Sequence, residues 1–493
     1  MNIAVVGSGA AAFGTLLKLK ENLNKTGDKI TVISKDLNYI NKIFLDNINK
    51  KKIKYKSSSK SGLHSEIRHN FGQSFEGVEI KNSNNVIYDV PYSGGLSDFW
   101  SGFAALPMDQ NLNKWGLKKG EIDSYYKHIA QKLNLSGEKL NMLERNNFLS
   151  TKPNLYVNSP PIKEHSLVSK LINKFNKEAN NERFSVHKNY VFLDTKENSS
   201  TKCINCQSCF SGCPQDSFFR PSKIINDWIF NKHFDYQNEE VDQIKLINKK
   251  YEILTKSKKS IVFDKVFLCA GALNTAKIII KSFGYPSKNI FLYDIPIKHF
   301  PIISMIPKIR IDSGTFGLSS GSGSIILNKD TYYHLLFGQL PKEYFKNKIN
   351  NKYLSNFFKN IFDTFCLYGT IYGSLDDFYS YQLTEKLDPI LVNHDKLKII
   401  NSNLNLVIKK LKKILFKKGF LVLNQFSIHG SSSAHYSSNL FDAYNIQINN
   451  KGEFNKNLHI CDSSTFGYAS SSQPHTFFIM ANSYRLADNA LQI

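Results

Sequence analysis

The sequence predicts an α/β protein: a Rossmann-like sheet with flanking helices, joined to an α+β unit that carries a mixed or antiparallel sheet. Two observations lead there. The first 35 residues read as strand, glycine turn, helix and strand: Ile3 to Val6 is apolar, Gly7-Ser8-Gly9-Ala10-Ala11-Ala12 follows, an apolar-periodic stretch runs to about Leu23, and Ile30 to Ile33 is the next strand. From about Asn289 to Tyr381 the chain instead becomes rich in Phe, Tyr and Ile in short β-like runs, with no further phosphate-type loop. At 493 residues, 41% hydrophobic and 13% aromatic, the chain can bury a large core in two or three folding units.

Composition narrows the function classes. No run of 18 or more apolar residues occurs, so no helix is expected to span a membrane. Met1 is followed at once by strand, without room for a charged n-region and an h-region, which makes the cytoplasm the expected location. The net charge of +23 comes from Lys scattered among Asn and Ile along the whole chain. It reads as compositional bias ahead of an acidic substrate or an anionic membrane, and without a nucleic-acid module no nucleic-acid partner is expected. Leu404, Val407, Ile408, Leu411, Ile414 and Leu415 recur at helical spacing among lysines. That stretch reads as a helix covering a sheet with a solvated basic face, ahead of one lying on a membrane. The Asn/Lys/Ser-rich stretches 47–61 and 176–201 read as exposed connections.

Gly7-x-Gly9-x-x-Ala12 between a strand and a helix is a dinucleotide fingerprint with Ala in the third small position. Gly7 permits the tight turn, Gly9 lets the backbone approach a pyrophosphate, and Ala12 allows helix and strand to come close. The helix N-terminus adds free N–H groups and a positive dipole end. The second strand should end on an acid for the ribose, but it reads Ser34-Lys35-Asp36, which leaves Asp36 or Ser34 for that contact.

Four further segments occur in an order that resembles the glucose–methanol–choline oxidoreductase family. Ser93-Gly94-Gly95-Leu96-Ser97-Asp98-Phe99-Trp100-Ser101-Gly102 resembles its second flavin-contacting loop, with Gly94, Gly95 and Ser97 as contacts. Trp115 to Gly137 resembles the helix that follows. Val266 to Ala276, with Ala270 and Gly271, is similar to the strand and turn that return to the FAD domain, and Leu458 to Ala490, with Asp462, to the closing segment. The resemblance implies FAD, bound by a domain assembled from 1–145, 200–288 and 425–493, with 146–199 and 289–424 forming the substrate-binding domain. It also implies oxidation of a CH–OH group of an alcohol or sugar-type substrate, hydride passing to flavin N5 while an imidazole takes the hydroxyl proton. His429, opening His429-Gly430-Ser431-Ser432-Ser433, resembles the catalytic histidine; His475, shortly before the final helix, stands for the second member of the pair, and His435 is held in reserve. A flavin-dependent lyase or isomerase, or a non-catalytic interaction protein, are the competing readings, because fold alone does not fix chemistry.

Cys203-x-x-Cys206-x-x-Cys209-x-x-x-Cys213-Pro214 repeats the spacing of bacterial ferredoxin segments. Some dehydrogenases of the resembled family carry an iron–sulfur cluster after a similar Cys-x-x-x-Cys-Pro ending. A [4Fe–4S] cluster is expected ahead of a [3Fe–4S] form, with zinc or an empty site as the alternatives. A cluster would make the protein a dehydrogenase serving a one-electron acceptor protein or a quinone; without it, an oxidase using O₂ beside a structural metal site is the alternative.

Overall fold

The computed structural model describes residues 1–36, 76–80, 86–90, 92–107, 109–118, 120–138, 157–176, 184–206, 209, 213, 215–305, 314–328, 331–339, 365–392, 394–430, 432–467 and 473–492. The connection 47–61, part of 176–201, Pro214 and Ser431 lie outside them.

Six strands build one sheet. The first strand, Asn2–Val6, pairs in parallel with Lys29–Ile33 on one side and Lys265–Leu268 on the other. Asp235–Gln237 extends the first edge and Leu458–Ile460 the second, again in parallel. Ile3, Ala4, Val5 and Val32 are fully buried, as parallel strands covered on both faces must be. The strands come from distant parts of the chain, and the last helix, Thr476–Leu491, lies against the first, Ala10–Thr26. Their approach is close because Gly14 has no side chain: a Cβ there would overlap the Met480 carbonyl oxygen and the Ser483 hydroxyl. Sequence reasoning assigned close packing to Ala12, which is fully buried, and missed Gly14.

The second large sheet has seven strands, six of them in the order Phe420–Val422, Ile297–Ser304, Cys366–Tyr372, Thr331–Gln339, Ser319–Asn328 and Phe184–Lys188, all antiparallel. The short strand Ile428–His429 pairs with Ile297–Ser304 off that path. Side chains alternate between faces along each strand. One face presents Phe184, Val186, Ile325, Tyr333, Leu335, Phe337, Leu367, Ile371, Phe300 and Ile302 to a common apolar core. The helix His394–Phe416 covers this face, burying Leu404, Val407, Ile408, Leu411 and Leu415 completely. The stretch read as a sheet-covering helix is therefore one. The other face carries Ser185, His187, Ser322, Ser324, His334, Leu336, Thr370, Tyr372, His299 and Ile297, and is far more polar.

No helix among the described residues is long and apolar enough to cross a membrane.

Candidate cofactor and active site

The glycine turn has the geometry its residues require. Gly7 sits at φ +114°, where a side chain is strained, and a Cβ would overlap the Cys269 carbonyl oxygen. At Gly9 a Cβ would lie 3.2 Å from both the Gly94 carbonyl oxygen and the Ser97 hydroxyl, so the turn and the loop at 93–97 meet there. Hydrogen bonds stitch the two together. The Ser8 hydroxyl accepts from the Gly94 N–H at 3.0 Å and lies 2.8 Å from the Ser34 hydroxyl. The Ser97 hydroxyl accepts from the Ala10 N–H at 2.9 Å and donates to the Gly94 carbonyl at 2.7 Å. Both ribose candidates are engaged, Ser34 by the Ser8 hydroxyl and the Asp36 carboxylate by the Asn238 side-chain amide, which donates to it at 3.5 Å. Asp36 lies just past the strand at φ +47°, its N–H donating to Asn238 Oδ1 at 2.8 Å.

Two buried carboxylates hold this region in shape. Asp98 occupies the space a Gly94 side chain would need and accepts from the Ser222 hydroxyl and, at 3.3 Å, from the Ser222 N–H. Burial pushes its carboxyl up to about 6 despite those bonds. Asp462 accepts from the Gly271 N–H and the Ser464 N–H, each at 2.9 Å, and from the Thr275 hydroxyl. Gly271 stands at φ +81°, so Asp462 clips a glycine turn beside Ala270 to the closing segment.

The histidines sort by sheet face. His429 pairs with Lys298, while Ile428 pairs with His299. Lys298 belongs to the helix-covered face, where its ammonium donates to Asn405 Oδ1 at 2.5 Å. His429 therefore stands on that side of the sheet, exposed, with partial desolvation and the Lys298 charge holding its imidazole down to about 4. His435 and His475 are instead brought together, their rings edge to face at 5.3 Å. His475 is the buried N-cap residue of the last helix, also against Phe466 at 5.5 Å. Just before it, Gln473 donates to the Leu106 carbonyl oxygen at 2.5 Å. Burial, then the proximity of His435, hold the His475 imidazole well below its ordinary value. It is neutral at pH 7.

His435 is aimed by Asp294, which sequence reasoning missed. That buried carboxylate accepts from the Ser432 and Ser433 hydroxyls at 2.6 Å each, the Ser433 N–H at 3.2 Å and the His435 N–H at 3.4 Å. Ala434 takes φ +60° within this turn, a conformation that L side chains adopt only where surroundings hold it. Tyr372, from the polar sheet face, touches His435 at 6.3 Å and His334 at 5.7 Å, and Phe103 stacks on His334 at 5.4 Å. Burial, then the nearby His187, hold His334 down to about 3.

Among the described residues, no disulfide joins Cys203, Cys206, Cys209 or Cys213. Cys203, Cys209 and Cys213 are half-buried and Cys206 is exposed. Cys203 and Cys209 are raised by burial first and further by the charges of the other cysteines of the segment, Cys209 to about 12. Sulfur in this segment receives N–H groups: Ser217 N–H lies 3.3 Å from Cys213 Sγ, and Gly317 and Asn205 donate to Cys209 and Cys203. Among the described residues, however, no group of three or more His, Cys, Asp or Glu side chains is arranged to hold a metal ion.

No protein-family model and no curated protein matches the sequence. A solved structure of a fungal aryl-alcohol oxidase is similar with a TM-score of 0.59 at 10% identity, over 99% of this chain and 98% of that one. The chain therefore shares its α/β fold with that structure. Halogenase PltM in complex with phloroglucinol and FAD is similar only at a TM-score of 0.31, with 10% identity over 99% of this chain and 69% of that one.

The buried neutral histidines make a prediction with a definite sign. A histidine whose folded value is depressed stays unprotonated while the unfolded chain takes up its proton, so stability falls as pH drops below about 6.5. For His334 that loss continues to about pH 3. Asp98 shifts the other way, so the measurement is a difference between proteins. Between pH 6.5 and 5 the wild type should lose about 2 kcal/mol more than His334→Phe, read from urea midpoints. Equal losses would mean that His334 is not buried in its neutral form.

Proposed function

We propose that the protein is an FAD-dependent oxidoreductase acting on the CH–OH group of an alcohol or sugar-type substrate. The observation that supports this reading is the His435–His475 pair, rings 5.3 Å apart, with Tyr372 of the polar sheet face 6.3 Å from His435. The fold it shares with an aryl-alcohol oxidase supports it. The residues fit FAD: the close contacts at Gly7 and Gly9 leave backbone where a phosphate needs it, and helix geometry leaves the Ala11 and Ala12 N–H groups without intrahelical acceptors. Gly7, Gly9 and Ala12 would border the pyrophosphate and Asp36 the ribose. Gly94, Gly95, Ser97, Ala270 and Gly271 would line the rest, with Asp462 positioning Gly271. When bound, FAD supplies the hydride acceptor.

The chain's own part is the proton. A carbinol can leave as a carbonyl only if its hydroxyl proton departs, and a base within hydrogen-bond reach lowers that barrier. In this reading His435 takes the proton and neutral His475 hydrogen-bonds the same oxygen. His429, on the far face of the sheet, takes no part. His435→Ala should slow anaerobic single-turnover flavin reduction by about 10²–10⁴-fold with FAD content unchanged. His429→Ala should leave the rate within about threefold, since a surface residue away from such features does little. The reverse pattern would return the role to His429.

The finer part of the proposal is an iron–sulfur cluster on Cys203, Cys206, Cys209 and Cys213, [4Fe–4S] ahead of [3Fe–4S]. It is supported by the ferredoxin spacing and by the N–H groups directed at sulfur, which favour thiolate. The thiols as placed do not form a metal-holding group, so no step is assigned to it. With a cluster the protein would be a dehydrogenase passing electrons singly to a carrier protein or quinone; without one, an oxidase. Anaerobically purified protein should contain iron and sulfide, and Cys206→Ser should lose both while keeping FAD. Zinc, or no metal at all, would remove the cluster from the account.

A further inference from the structure

The polar face of the seven-stranded sheet contains a buried histidine. His334 is 8% exposed, and among the described residues its Nε2 has no hydrogen-bond partner. An unpaired buried imidazole nitrogen costs stability unless something else meets it. The ring cannot turn away easily, because Phe103 stacks on it at 5.4 Å and Tyr372 flanks it at 5.7 Å. Tyr372 in turn touches His435, so His334 stands one aromatic ring away from the paired histidines on the same side of the sheet.

Its surroundings define what it could receive. Ser324 lies opposite it in the neighbouring strand, and one pair further along Ser322 places its hydroxyl 3.1 Å from His187 Nδ1. Next to this polar strip lies a small apolar cluster of Phe103, Ala105, Ile295, Ile297, Leu336 and Tyr372. Hydroxyls and neutral imidazoles beside an apolar patch suit an uncharged molecule with a carbon skeleton and more than one hydroxyl. None of these residues carries a charge to match a carboxylate or phosphate.

We infer that His334 is a specificity-determining residue that hydrogen-bonds a second hydroxyl of the substrate through Nε2, so that the substrate class is a neutral polyol or sugar and not a plain or aryl alcohol. This deepens the proposed function and rests on it. His334 does not act on the reacting carbon; it positions the molecule whose first hydroxyl meets His435 and His475. Loss of a hydrogen bond that only one substrate makes discriminates against that substrate alone.

The test compares wild type, His334→Phe and His334→Asn. The phenyl ring keeps the contacts with Phe103 and Tyr372, and Asn keeps a hydrogen-bonding group. FAD content and thermal midpoint at pH 7.5 establish that each variant is folded. Glycerol, D-glucose and benzyl alcohol are titrated anaerobically, reading both the perturbation of oxidised-flavin absorbance and the rate of flavin reduction. The wild type should respond to glycerol or glucose at lower concentration than to benzyl alcohol. His334→Phe should raise the half-saturating polyol concentration about 10-fold or more with a similar limiting rate, leave benzyl alcohol unchanged, and be partly rescued in His334→Asn. A wild type that prefers benzyl alcohol, or an equal loss for all three probes, would overturn the inference. If polyols perturb the flavin in a His334-dependent way but reduce nothing, the recognition stands and the proposed CH–OH chemistry fails. Reduction by benzyl alcohol with no effect of polyols has the opposite meaning.

Discussion

A single buried carboxylate, Asp294, holds the turn that carries His435. Asp294 sits at the end of the strand Ile290–Asp294, fully buried, with a proton affinity raised by desolvation. It keeps its place by collecting the Ser432 and Ser433 hydroxyls and two backbone N–H groups. The same bonds hold Ala434 in the left-handed region, and that residue turns the chain so that His435 faces His475. Charged acceptors make the stronger hydrogen bonds, about 1.5–3 kcal/mol each, which is enough to maintain a strained residue costing about 1–3 kcal/mol. Without the carboxylate the turn would keep only the Ser432–Tyr436 hydroxyl contact and the Ala434 and His435 N–H bonds to the Ser432 and Ser433 hydroxyls.

The six-stranded sheet depends on a comparable economy of space. The turn after the first strand comes close to a neighbouring strand at Gly7 and to the 93–97 loop at Gly9, and Gly14 lets the last helix lie on the first. Each contact joins residues far apart in the chain. Asp462 adds a fourth tie, from the closing segment to Gly271 and Thr275. The arrangement leaves backbone, and not side chains, facing the space at the helix N-terminus, which is what a diphosphate requires.

The legible parts of the fold were the local ones. Strand, turn and helix at 2–26 follow from periodicity and three small residues, and the helix 394–416 from its apolar spacing. The Cys203–Cys213 spacing was equally plain, but spacing does not say whether four thiols close around one centre. The histidine pair was legible only as a choice. His429 and His435 lie six residues apart near one motif, and what separates them is the register of Ile428–His429 against Ile297–Ser304. A shift of one residue exchanges the faces, and that register is a long-range property no local pattern carries. Asp294 was invisible for the same reason: it acts 141 residues away, on the His435 N–H. His334 gave no signal either, being one histidine in an aromatic strand until its unpaired nitrogen could be seen.

The central claim is that the imidazoles of His435 and His475 share the reactive side of a bound flavin. A crystal structure of the protein with FAD bound tests it most directly. The account predicts both rings on the side of the isoalloxazine that faces Tyr372 and His334, within about 3–3.5 Å of a common position for a substrate oxygen. A flavin ring lying elsewhere, or His429 and not His435 at that position, would contradict it.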